Sequence, residues 1–241
     1  RRQRQMCIRD SIAAIQDAIA MRGMCSLMLT GGNSAGKLYA QWEGSSLPQR
    51  RDIQYYFGDE RCVPPRHVDS NYGSFTKTYW PRGIPQGIHI RRMKAESPKK
   101  EHVALEYERE LPNQVDVLLL GLGLDGHVAS LFPGHSALQE RERSVVFVSG
   151  QNAPHERLTI TPKVIRQSRR IFLLATGADK GLLLARALTS HTDFVTLPAR
   201  LALNGTWLLD RAAFLQLKES AIDATTGASE NSWRDSDENA I

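Results

Sequence analysis

The sequence predicts an α/β fold, with one open, mostly parallel sheet covered by helices on both faces. Three observations predict it. Short apolar runs alternate with stretches of helical periodicity, the pattern of βαβ units. The run Val115 to Leu120 reads as a strand buried on both faces, as parallel strands are. Two of the runs pass directly into glycine-rich turns, Gly31-Gly32-Asn33-Ser34 and Gly121-Leu122-Gly123-Leu124-Asp125-Gly126-His127. Such turns sit at the carboxyl edge of the sheet, where ligands of open α/β folds bind.

The elements follow in order. Ile8, Ile12, Ile15 and Ile19 recur at helical spacing and predict a helix over Cys7 to Met21, ended by Gly23. Ser26 to Thr30 is a strand, broken by the glycine turn, and Ala35 to Trp42 is a helix. Ile53 to Phe57 is a strand, with a polar loop from Gly58 to Asn71 and a helix from Ser74 to Trp80. Ile88 to Arg91 is a short strand. Pro98 fits the first turn of a helix that opens at Ser97 or Pro98 and runs to Leu111. Val115 to Gly121, Val145 to Val148, Leu158 to Thr161 and Ile171 to Ala175 are strands. Thr161-Pro162 reads as an N-cap and first-turn proline for Lys163 to Gln167. Ala178 to Leu188 is a helix, Thr206 to Leu209 a last strand, and Arg211 to Leu217 a last helix. Residues 1–217 are expected to form one domain. The polar, acidic segment 218–241 lacks periodicity and is expected to be disordered.

The chain has 241 residues, 41% hydrophobic and 24% charged, which supports a full core for one α/β domain. Its formal net charge is +5. From Gln216 onward two cations stand against six carboxylates, so the tail is acidic and the body more basic than the total suggests. A basic body suits an anionic partner. Nucleic acid, an acidic membrane surface and an anionic small molecule all meet that description, and most of these charges read as solvated surface. No secretory apolar region and no membrane-spanning run is visible. Cys7, Cys25 and Cys62 match neither a disulfide framework nor a metal spacing, which predicts reduced thiols and a cytoplasmic protein.

Four places carry candidate chemistry. In Gly31, Gly32, Asn33 and Ser34, a turn entering a helix converges backbone N–H groups on an anion. Gly31, Gly36 and Lys37 also fit a nucleotide-binding P-loop, but Leu38 stands where a Ser or Thr should hold Mg²⁺. A ligand-free tight turn is the plain alternative. At Asp59-Glu60-Arg61, the planar fork of Arg61 suits a phosphate or carboxylate, while an internal ion pair that pins the loop is the plain alternative. Asp125-Gly126-His127 places an imidazole at a strand end, where an unperturbed pKa of ~6.5 suits a base near neutral pH. A lone histidine is more often structural; the Gly-x-Gly-x-Asp-Gly turn shifts that balance. His135, eight residues on, reads as a surface residue. Arg157 and Lys180 lie near later strands, within reach of an anion at the sheet edge.

These segments resemble the 6-phosphogluconolactonase family across Ile8 to Phe214. Phe57-Gly58-Asp59-Glu60-Arg61-Cys62-Val63-Pro64 with Asp69-Ser70-Asn71-Tyr72, and Asp125-Gly126-His127 with Ala129-Ser130-Leu131-Phe132-Pro133-Gly134, are similar to its signature stretches. His155-Glu156-Arg157-Leu158-Thr159, Thr176-Gly177-Ala178-Asp179-Lys180 and Leu197-Pro198-Ala199 match weaker ones. One departure is Asn33-Ser34-Ala35, where the family usually has Ser-Thr-Pro, so proline no longer stiffens the helix start. The resemblance implies a Rossmann-like sheet of the sugar-phosphate isomerase and deaminase type. It further implies hydrolysis of 6-phospho-D-glucono-1,5-lactone with no metal and no organic cofactor. His127 is then the general base, with Asp125 orienting it. Gly31, Gly32, Asn33, Ser34, Arg61, Arg157 and Lys180 would hold the phosphate, and Asp59 the sugar hydroxyls. The partner the resemblance implies is a small sugar-phosphate lactone, with no nucleic acid and no membrane, and a monomer or weak homodimer is expected.

Two other functions fit parts of the pattern. A glucosamine-6-phosphate deaminase would have Asn-Gly-His and lack the Arg61-Cys62-Val63-Pro64 run. A non-catalytic sugar-phosphate sensor would need Arg61 and the glycine turn but not His127.

Overall fold

The computed structural model describes residues 2–43, 45–149, 156–190 and 192–220. The main sheet has six strands: β1 (Cys25–Leu29), β2 (Ile53–Phe57), β4 (His89–Ile90), β5 (Val117–Gly121), β8 (Arg170–Ala175) and β9 (Thr206–Leu209). All its pairings are parallel, in the order β4-β2-β1-β5-β8-β9. The expected α/β architecture is therefore present.

Alternate residues of the central strands feed two cores. On one face, α1 (Arg2–Arg22), α2 (Asn33–Glu43) and α3 (Asn71–Tyr79) cover Leu27, Leu29, Tyr55, Val117, Leu119, Phe172 and Leu174. Aromatic rings dominate there, with Phe75 edge-on to Tyr39 at 4.9 Å between centroids. On the other face, α4 (Lys100–Glu110), α5 (Pro162–Gln167) and α6 (Ala178–Thr189) pack over Met28, Tyr56, Leu118, Leu120 and Leu173. Residues 211–220 form the last helix, α7, which runs past the expected end at Leu217 and takes in 218–220. The rest of the acidic tail, like His155, lies outside the described residues.

The main correction concerns three segments. Asp59–Arg61, expected as loop, is a strand, β3. It pairs antiparallel with β7 (Glu156–Ile160), which pairs antiparallel with β6 (Val145–Ser149). Periodicity reads apolar content and cannot tell which sheet a strand joins. This small sheet packs into the core on the α4 face, so Arg157 belongs to a strand of a second sheet and does not follow a strand of the main one.

Smaller differences have local causes. The run Val115 to Leu120 becomes strand only at Val117, because the Asp116 carboxylate accepts hydrogen bonds from the Ser26 backbone N–H (2.9 Å) and Oγ (2.8 Å) at the foot of the sheet. Helix α4 opens at Lys100, with Pro98 outside it; the Lys99 carbonyl accepts the first i→i+4 bond, from Val103. Thr161 does sit at the N-cap of α5, but its hydroxyl donates to the Arg143 carbonyl at 2.7 Å and leaves the helix uncapped by side chain. No helix among the described residues is long and apolar enough to cross a membrane. Cys25 is buried and Cys62 half-buried, both as free thiols, and burial pushes the Cys25 thiol up to about 12.

Candidate active site

The strand order reverses at β1. The chain runs outward through β2 and β4, then returns to lay β5, β8 and β9 on the other side of β1. The carboxyl ends of β1 and β5 therefore diverge into a crevice, the usual ligand position of such sheets. Thr30 fixes both lips. Its backbone carbonyl accepts from Tyr39 Oη at 2.7 Å, and its Oγ1 accepts from the Gly121 N–H at 3.1 Å. One cleft at this point is lined by Gly31, Gly32, Asn33, Ser34, Asp59, Arg61, His127, Arg157 and Lys180. Nine residues from five separate parts of the chain thus meet in one place. Asp125 does not line the cleft but stands behind His127.

The histidine turn is built for one orientation. The Gly123 N–H donates to the His127 carbonyl at 2.9 Å, closing the loop, and Gly126 takes φ +90°, a conformation that costs a side-chain-bearing residue. A Cβ on Gly126 would also come within 2.4 Å of Leu197 Cδ1. Asp125 Oδ1 lies 2.6 Å from His127 Nδ1 and accepts the His127 backbone N–H at 3.2 Å. Burial pushes the Asp125 carboxyl up, but the hydrogen bond from His127, its charge and the backbone N–H outweigh it, leaving the carboxyl below its ordinary value. A carboxylate on Nδ1 favours the tautomer with the proton on that nitrogen, in which the lone pair is on Nε2. The imidazole stacks 4.8 Å from the Phe132 ring, tilted by 53°.

Arg61 and Arg157 are direct cross-strand partners in the β3–β7 pair. Like charges directly opposite each other on paired strands are destabilising unless nearby carboxylates offset them. Asp59 supplies part of that field. Its Oδ2 accepts from Ser130 Oγ at 2.7 Å and lies 4.0 Å from Arg157 Nη1, and its Oδ1 accepts from Asn71 Nδ2 at 3.0 Å. Arg157 also reaches Ser130 Oγ at 3.4 Å and stacks over Phe132, its Cζ 5.3 Å from the ring centroid. Arg61 Nη1 donates to the Asp69 carbonyl at 2.7 Å, and its Nε is buried without a hydrogen-bond partner. The Glu60 carboxylate does not close an ion pair with its neighbour's guanidinium. It accepts the N–H groups of Asn71 (2.7 Å) and Tyr72 (2.9 Å) and caps α3 from a distance in sequence.

Across the cleft, α2 begins at Asn33, so the N–H groups of Asn33, Ser34 and Ala35 have no partner within the helix and point toward its positive end. Ser34 Oγ shares a 2.7 Å hydrogen bond with Thr176 Oγ1, tying this turn to the end of β8. Lys180, in the first turn of α6, faces the same bank. Burial lowers its pKa, Asp210 opposes that, and Lys37 adds to it. Lys37 itself is exposed on α2 and does not line the cleft, unlike the lysine of a P-loop. His135 is half-buried away from the cleft, its Nδ1 accepting the Ala137 N–H at 3.1 Å.

Sequence reasoning missed Asn71, Ser130 and Phe132 as individuals. Asn71 and Ser130 are buried polar residues that bond the Asp59 carboxylate, and Phe132 links two functional side chains. All three lie in the stretches that carry the resemblance, which was the available signal. Ala129 lines the cleft with φ +51°, a strained value for a residue with a Cβ, of the kind that clusters at functional sites. Among the described residues no three His, Cys, Asp or Glu side chains converge as metal ligands.

A doubly wound α/β scaffold carries a cleft at its switch point, and a carboxylate-held histidine shares that cleft with a helix N-terminus and three cations, an arrangement suited to acid–base chemistry on an anionic ligand. Residues 4–209 match the family model described as glucosamine-6-phosphate isomerases/6-phosphogluconolactonase. The chain belongs to that family. It is 34% identical to a 6-phosphogluconolactonase of Streptomyces coelicolor, with 87% of this chain and 88% of that protein covered. To one of Synechocystis it is 36% identical, covering 83% and 87%. The structure of 6-phosphogluconolactonase from Trypanosoma brucei superposes with a TM-score of 0.75 at 28% identity, covering 90% of this chain and 95% of that one. The resemblance carried by the signature stretches is thus matched in overall sequence and fold.

Proposed function

We propose that this protein hydrolyses 6-phospho-D-glucono-1,5-lactone to 6-phospho-D-gluconate in the oxidative pentose phosphate pathway, with His127 as the general base. The observation that carries this is the 2.6 Å contact between Asp125 Oδ1 and His127 Nδ1, which leaves Nε2 as the basic atom beside an anion-binding cleft. The relatives' names supply the substrate, and the chemistry fits the site. A lactone carbonyl is already electrophilic, so the protein needs to activate only a water. His127 Nε2 takes a proton from that water as its oxygen bonds to C1. The carbonyl electron pair moves onto oxygen, then returns as the bond from C1 to the ring oxygen breaks. The imidazolium gives its proton to the ring oxygen. A base so positioned contributes ~10²–10⁴-fold. The α2 N-terminus, Ser34 and Lys180 bind the phosphate. Residues 1–217 are read as one catalytic domain of a cytoplasmic enzyme, a monomer or weak homodimer.

The test is proton release from the phospholactone above the spontaneous rate. His127→Ala should remove the excess, a loss of ~10²–10⁴-fold, while 6-phosphogluconate still binds. Unchanged turnover in that variant would overturn the assignment. Release of ammonia from glucosamine 6-phosphate, with no lactone turnover, would transfer the site to the other activity in the family's description.

A further inference from the structure

The cations of the cleft fall into two groups. The turn at Asn33 and Ser34 opens α2, whose Ala35, Leu38 and Tyr39 pack with Phe172, Leu174 and Leu208 on one face of the main sheet. Lys180 belongs with this bank, since its charged neighbours are Asp210 and Lys37. Arg157 lies on the opposite bank. The residues flanking it and its partner Ser130, namely Leu158, Ile160, Ala129 and Leu131, pack into the core of the other face. Its charged neighbours are Asp59, Arg61, Asp125 and Asp69. The charges acting on Arg157 include the carboxylate behind His127.

The contact geometry joins Arg157 to the base. Its guanidinium lies 5.3 Å above the Phe132 ring, and the same ring lies 4.8 Å from the His127 imidazole. Arg61, by contrast, turns Nη1 to the Asp69 carbonyl. The substrate has two anionic ends during the reaction: the phosphate on C6, and the oxygen on C1 that becomes an oxyanion and finally a carboxylate. A phosphate on the α2 bank leaves C1 on the bank of His127.

We propose that Arg157, carried by β7 and stacked on Phe132 beside His127, donates to the C1 oxygen as it becomes the oxyanion and then the product carboxylate, leaving the phosphate to Gly32–Ser34 and Lys180. The proposal rests on the lactonase reading of the site. Asp59 and Ser130 are positioning residues that hold the guanidinium in place. No proton moves at Arg157: the charge arrives with the carbonyl electron pair as the C1–OH bond forms, and the carboxylic acid released on ring opening loses its proton to water. A fixed donor of this kind acts where charge develops in the transition state.

The experiment compares two ligands of the whole protein by calorimetry: 6-phosphogluconate, and glucitol 6-phosphate, which has a CH₂OH in place of the carboxylate. Wild type should prefer the carboxylate. Arg157→Gln should erase that preference, a change of roughly tenfold or more, and lower kcat for the lactone by about 10²–10³-fold. Lys180→Gln should weaken both ligands equally and keep the preference. Arg157→Lys keeps a charge beside Asp59; if the Gln variant does not fold, the Lys variant should still lower the preference. An Arg157 variant that loses both ligands equally, with the preference intact, overturns the proposal. Wild type that prefers the carboxylate but hydrolyses no lactone would sink the lactonase reading and leave the placement of Arg157 standing.

Discussion

Asp125 holds His127 at two points from within one turn: its Oδ1 is 2.6 Å from the ring Nδ1 and 3.2 Å from the backbone N. The carboxylate thereby fixes both the tautomer and the direction of the imidazole. Asp125→Asn should leave the fold intact and lower kcat by at least about tenfold, on the scale of orienting carboxylates, whose loss costs up to ~10⁴. Steady-state proton release measures it. A variant with wild-type kcat would show that the turn alone orients the ring.

The same carboxyl makes a pH prediction. Its folded value is depressed, so its ionised form stabilises the fold. That contribution is present above the unfolded value of ~3.9 and is lost as pH falls through the folded value. The melting temperatures of wild type and Asp125→Asn should therefore differ near neutral pH and converge as acidification protonates the carboxyl in the folded state. A gap that widens on acidification would contradict the sign.

Gly123 has no room for a side chain. A Cβ there would lie 2.2 Å from both Cε1 and Nδ1 of His127. Gly123→Ala should push the imidazole off Asp125 while touching little of the core. Activity should fall on the order of 10²-fold, the cost of misplacing a catalytic group by about 1 Å, with a melting temperature near wild type. A crystal structure of the variant would show the displaced ring.

Gly31→Ala acts on the opposite lip. The new Cβ would fall 1.8 Å from Asn71 Oδ1, and Asn71 is buried and bonded to the Asp59 carboxylate. Overpacking of this kind costs ~1–3 kcal/mol. Urea denaturation should show the loss, and because Asp59 sits 4.0 Å from Arg157, lactone turnover should fall with it.

Asp116 lies at the other end of the strands and serves as the contrasting case. Besides Ser26, it pairs with Arg22 at 2.8 Å and Arg169 at 3.4 Å. Asp116→Ala should cost about 1–3 kcal/mol, the scale of hydrogen bonds to a charged group, while kcat for the folded fraction stays at the wild-type value. A selective loss of kcat would mean that the two ends of the sheet communicate.

Residues on the main sheet were legible because their signals are local. The runs at β1, β2, β5 and β8 are too apolar to be anything but buried strands, and glycine turns after β1 and β5 mark the edge where function lies. The His127 turn could be read as a candidate base for the same reason. Arg157 was legible as a cation but not as to its place, since nothing in Glu156-Arg157-Leu158 says which sheet the strand joins. Glu60 looked like half of a local ion pair, but its carboxylate accepts backbone N–H groups, that of Arg61 next to it and those of Asn71 and Tyr72 eleven and twelve residues away.

The sequence by itself determined the α/β class, the two glycine turns and the residue types available for anion binding and proton transfer. Those depend on periodicity, on backbone freedom and on side-chain chemistry, all of which are properties of short segments. Tertiary structure decided which of those residues face one another. Strand order brought β1 beside β5, and the small antiparallel sheet set Arg61 opposite Arg157. It also decided that Phe132 would lie between Arg157 and His127. Such pairings depend on register and on which face of the sheet each connection crosses, and these are settled only when both cores close.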